Sequence, residues 1–176
     1  MLKIYTLIHV VISLVAIVSG IVVLFGMLAG KRLDGWTKFF LITTVATSVT
    51  GFFFPFHGFT PALGTGIISL VALAVAIFAR YARHLAGAWR KTYVISAVIS
   101  LYLNVFVLIV QAFLKIPALK EIAPTQNAPP FKFTQIVVLT ALGILAALKF
   151  RGEVPAGAIA STERDLHEDE EPTSNS

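Results

Sequence analysis

The chain has 176 residues, 57% of them hydrophobic and only 13% charged, and no cysteine. Soluble domains carry about 25% charged residues, so the deficit excludes an ordinary soluble class; the missing cysteines exclude disulfides, thiolate metal sites and thiol redox chemistry. The formal net charge of +5 divides into a body of +10 and an acidic end, residues 151–176, where two arginines face seven carboxylates for a net of −5. A basic body without a basic stripe interleaved with aromatics points to anionic lipid head groups and away from nucleic acid.

Five apolar stretches follow in chain order, at residues 4–28, 36–56, 61–79, 92–114 and 133–150. A bilayer core needs about 20 apolar residues in a helix, and backbone polar groups in lipid are satisfied internally, so each stretch is expected to be a helix. The first is too long for the apolar region of a signal peptide and is preceded only by Lys3, so it reads as a retained helix. At 100° per residue, Thr6, His9, Ser13, Ala16, Gly20 and Met27 share one of its faces within about 80°. The second stretch offers Thr43, Thr47 and Gly51 at four-residue spacing and runs into the phenylalanine-rich segment 52–59, which holds His57. Between the third and fourth, residues 80–91 alternate basic and aromatic groups, the pattern of snorkelling cations and an interfacial Trp, with anionic-ligand binding as the sharper alternative.

The fourth stretch carries the strongest polar pattern. Tyr93, Ser96, Ser100, Asn104 and Gln111 fall within about 80° of one another, a stripe that lipid cannot satisfy and that must face the bundle interior. Residues 115–132 then form a long connection with prolines at 117, 124, 129 and 130, expected to interrupt helix and to lie against the head groups as a lid over the first two helices or as plain shielding. The fifth stretch offers Gly143 and Ala147 as a close-packing pair. Residues 152–176, acidic and poor in large apolar side chains, read as a disordered tail beyond a transmembrane domain spanning residues 1–151.

Ten of the fourteen lysines and arginines fall on one side of the implied topology and four on the other. The positive-inside rule places the first set in the cytoplasm, which puts the N-terminus outside and the acidic tail inside. The fold class is therefore all-α: a polytopic transmembrane bundle of five helices, multi-pass in the inner (plasma) membrane.

None of the five stretches contains a carboxylate, which weighs against a proton-coupled pump and against acid/base hydrolysis by paired carboxylates. His84 and His167 read as solvated surface residues. His9 and His57 belong to the outer ends of the first two helices; two imidazoles suffice as axial ligands of haem b, and the neighbouring phenylalanines could pack on a macrocycle. An interfacial, hydrogen-bonded pair is the plainer reading of the same residues.

Three segments, Arg32-Leu-Asp-Gly-Trp36, Thr50-Gly-Phe-Phe-Phe-Pro-Phe56 and the run from Leu101 to Leu119, together with Ala123-Pro-Thr-Gln126, resemble a family of small uncharacterised bacterial inner-membrane proteins over most of residues 31–150. The resemblance implies a bacterial source and a multi-pass fold and transfers no functional residue. The layout is more distantly similar to cytochrome b561-type membrane proteins, but those set histidine pairs within facing helices, whereas here only His9 is intramembrane. The function expected is a non-enzymatic membrane component that binds a small ligand or serves as an accessory subunit, in contact with membrane lipids and with a second copy or a partner membrane protein. A haem-binding redox protein and an oligomeric transporter or channel are the alternatives.

Overall fold

The computed structural model describes residues 2–54 and 61–151. His57 and the acidic tail lie outside the described residues. Six α-helices make up the described chain, with no strand among its residues: α1 (Leu2–Leu28), α2 (Asp34–Gly51), α3 (Pro61–Ile77), α4 (Trp89–Lys115), α5 (Pro117–Ile122) and α6 (Pro129–Arg151). A single π-helical turn, Phe78–Ala82, extends α3.

The helices start and stop where local chemistry directs. At the end of α1 the Lys31 N–H donates to Gly26 O at 2.9 Å and the Gly30 N–H to Met27 O at 3.2 Å, a Schellman pair that needs Gly30 at φ +70°. The loop prolines do not keep residues 115–132 extended. Pro117 and Pro129 instead stand at the first positions of α5 and α6, where a missing N–H costs nothing.

Four segments are long and apolar enough to cross a membrane: Ile4–Leu28, Leu63–Ala82, Trp89–Lys115 and Pro129–Phe150. The 18-residue α2 is absent from this set because Asp34, Lys38 and six hydroxyl residues lower its average. It nevertheless runs antiparallel to α1 along its whole length, with Tyr5 and His9 beside Thr50, Gly20 against Phe40 and Gly26 against Leu33. Gly20 permits this close approach: a Cβ on it would stand 2.7 Å from both Leu101 Cδ1 and Phe40 Cε2, and those buried side chains would have to shift.

The distribution of side chains inverts that of a soluble protein. Ile4, Leu7, Val11 and Val18 of α1 and Ile136 and Leu139 of α6 are exposed, while Ser19, Thr44, Ser69, Ser96 and Ser100 are buried. Several buried hydroxyls donate to carbonyls of their own helix, as Ser100 does to Ser96 O at 2.9 Å and Ser19 to Ala16 O at 3.0 Å. The apolar core, built on Leu24, Phe40, Leu73, Tyr93 and Leu101, joins α1 to α4 in the half of the bundle nearer Lys31, Arg80 and Trp89.

The close-packing role expected of Gly143 and Ala147 is not used. Both are exposed, a Cβ on Gly143 would meet nothing within 4 Å, and α6 packs instead through Leu142, Leu145, Ala146 and Phe150. The lid expectation for residues 115–132 also changes. Leu119 and Ala123 pack with Phe113 and Phe131, so α5 rests on α4 and the start of α6 and not over α1 and α2.

Candidate functional site: a polar cavity between four helices

At the end of the bundle opposite the apolar core, α1 to α4 do not fill the space between them. Small residues, Ser13, Thr47, Gly51, Gly66 and Ser69, occupy the inward positions and leave a cavity of about 630 Å³, within the size range of small-molecule sites. Its apolar walls include Val10, Leu63, Leu103 and Val107, with Phe52 and Phe54 from the end of α2. No carboxylate lines it among the described residues.

The polar faces read from the sequence meet here. Thr6, His9 and Ser13 come from α1, Thr47 and Gly51 from α2, and Asn104 and Gln111 from α4. The α4 stripe divides in two. Ser96 and Ser100 are buried in helix contacts, and Tyr93 lies against the core with the Arg80 guanidinium 5.5 Å from its ring centroid. Only the part from Asn104 onward faces the cavity. With 1.5 Å per residue, Asn104 lies about 16 Å from the Lys115 end of the helix, near mid-depth. On α2 the inward residues are Thr44, Thr47 and Ser48, and Thr43 turns back to donate to Phe39 O at 2.8 Å.

Sequence reasoning missed the contribution of α3. Ser69 and Thr65 both line the cavity, and the Ser69 hydroxyl pairs with that of Ser48 at 3.1 Å. Their four-residue spacing was the available signal. Lys115 was counted only as a loop charge, yet it lines the mouth.

The hydrogen bonding of His9 can be worked out atom by atom. The Thr50 hydroxyl lies 2.7 Å from Ala46 O and 3.2 Å from Thr47 O, and a carbonyl only accepts, so the hydroxyl proton goes to one of them. Its oxygen is then the acceptor for His9 Nδ1–H at 2.8 Å. In the neutral imidazole this bond leaves Nε2 unprotonated. The ring is held edge-on to Phe54, with centroids 5.1 Å apart at 84°, and Tyr5 steadies the same turn by donating to Thr50 O at 2.6 Å.

Two polar groups on the cavity wall lack partners within the protein. Asn104 Nδ2 and Thr47 Oγ1 are buried and unbonded, and the residues are 8% and 7% exposed. Each such group costs about 1–3 kcal/mol unless something else satisfies it. The haem reading has one described ligand, His9; its partner His57 lies outside the described residues. No group of three or more metal-ligating side chains occurs among the described residues.

Comparison with protein-family models, curated proteins and solved structures gives no match for this chain.

Proposed function

We propose that the chain is a multi-pass membrane protein of five spans that holds a small lipid-soluble molecule in the cavity between α1, α2, α3 and α4. The observation that carries the ligand reading is the buried, unpartnered Asn104 amide on the wall of a cavity where four independent polar faces converge. A stripe serving only as packing glue would bond across the helices, as Ser48 and Ser69 do. Asn104 Nδ2 and Thr47 Oγ1 make no such bond, and both residues line the cavity.

Support for α2 as the fifth span comes from the side it presents to lipid. Beyond its first turns, where Asp34, Gly35, Trp36 and Lys38 are exposed, its exposed positions are Phe39, Ile42 and Val49, while Thr44, Thr47 and Ser48 are turned inward. An average over the helix mixes both faces, whereas lipid meets only one. Eighteen residues reach about 27 Å, close to the thickness of the hydrocarbon core. With five crossings the positive-inside rule puts Lys31, Arg80 and Lys149 in the cytoplasm and the cavity mouth outside.

Two experiments test this reading. Alkaline phosphatase fused after Ala123 is expected to be active and after Arg164 inactive; fusions after Lys31 and after Phe54 should differ from each other. Equal activity in that second pair would remove α2 from the spans. For the ligand, protein re-isolated after incubation with a membrane lipid extract should yield a small molecule by mass spectrometry in about equimolar amount. Val107→Trp, which pushes an indole into the cavity from its α4 wall, should yield much less. Equal recovery from both proteins would sink the cavity as a binding site.

A further inference from the structure

Resting on that cavity reading, we infer that the ligand is a neutral molecule with a hydroxyl head group, of the phenol or hydroquinone class, and not an anionic amphiphile. The inference follows from the proton inventory of the walls. Asn104 Nδ2 is a donor without an acceptor and Thr47 Oγ1 is unpaired, and both residues line the cavity. His9 Nδ1–H is committed to Thr50, so Nε2 offers a lone pair that only an incoming donor can use. The Ser48 and Ser69 hydroxyls share one hydrogen bond, with either as the donor.

A ligand must therefore bring an acceptor oxygen for Asn104 and a proton for His9. A carboxylate or phosphodiester brings acceptors only and leaves Nε2 unmatched. A cation finds no carboxylate among the described lining residues. Lys115 is the one cationic side chain on the wall, and it is exposed at the mouth, where water screens its charge. A hydroxyl-bearing ring satisfies both requirements without a charge at mid-depth. Phe52 and Phe54 add aromatic edges and faces suited to a flat head.

The test compares three probes with the detergent-purified protein by calorimetric titration: 4-heptyloxyphenol, its methyl ether, and decanoate. The phenol should bind, and the ether, alike in shape but without a proton to give, should bind about tenfold weaker or less. Thr50→Val retains His9 but removes the acceptor that fixes its tautomer; it should shrink the phenol preference, and Thr50→Ser should restore it. His9→Phe should abolish the preference. Melting temperatures near wild type for these variants keep the comparison one of binding.

Equal affinity for phenol and ether, or a preference untouched in both Thr50→Val and His9→Phe, would overturn the hydroxyl inference. So would decanoate binding tighter than the phenol and weakening in Lys115→Ala. In either case, much weaker binding in Val107→Trp would leave the cavity reading standing. If no probe binds the wild-type protein, both fall.

Discussion

In the basic half of the bundle, Leu24, Phe40, Leu73 and Leu101 are at most 2% exposed and close the space between α1, α2, α3 and α4. In the other half the same four helices present Ser13, Thr47, Gly51 and Ser69 and leave about 630 Å³ open. In the basic half Ser100 and Ser19 bond to their own helices and Arg80 pairs with Asp34 across the start of α2, while the buried Thr44 Oγ1 and Tyr93 hydroxyl have no hydrogen-bond partner. The cavity half holds Asn104 and Thr47, which have no partner either. A hydroxyl in a membrane helix can always turn back to a carbonyl one turn away. An Asn amide has two protons to place, and at Asn104 neither finds an acceptor within the protein.

Phe40→Ala should break the comparison most severely. It opens a void in the filled half and should destabilise the protein by about 3–5 kcal/mol, read as a large fall in melting temperature in detergent. Gly20→Leu tests the close approach of α1 to Phe40 and Leu101 and should cost about 1–3 kcal/mol or more through overpacking.

Asn104→Leu sharpens the contrast. It removes a buried orphan of similar size, so the ligand-free protein should gain about 1 kcal/mol while losing the bound molecule. A destabilised Asn104→Leu protein would mean that the amide holds the bundle together and does not serve a ligand. Asp34→Asn should matter least, by about 0–1 kcal/mol, because the Asp34 side chain is 73% exposed and its pairing with Arg80 is screened by water. A larger loss on thermal unfolding would show that the basic end depends on that ion pair and not on its apolar core.

Much of this was legible in the sequence because membrane solvation writes strong, local signals. The long helices were read to within a few residues, and angular spacing alone grouped the polar residues of α1 and of α4 on one face of each helix. His9, Ser13, Asn104 and Gln111 were all placed toward neighbours, and all four line the cavity. The errors have local causes. Gly143 and Ala147 satisfied a spacing rule that says which face can pack closely, not which face has a neighbour. The prolines of residues 115–132 do interrupt helix, but Pro117 and Pro129 also open α5 and α6, because proline is equally at home at the first position of a helix.

The sequence by itself determined the membrane class, the helical class and which residues share a face, since each depends on one helix and its solvent. It left open which half of a polar stripe is packed and which half is open. That depends on the volumes of residues brought from three other helices: Phe40 and Leu73 meet α4 near Leu101, whereas Gly51, Gly66 and Ser69 surround the region of Asn104. The protonation pattern of His9 likewise depends on Thr50, 41 residues away, and on the carbonyls to which Thr50 donates. Volume complementarity and the direction of a hydrogen bond arise between segments, so only the tertiary structure could decide them.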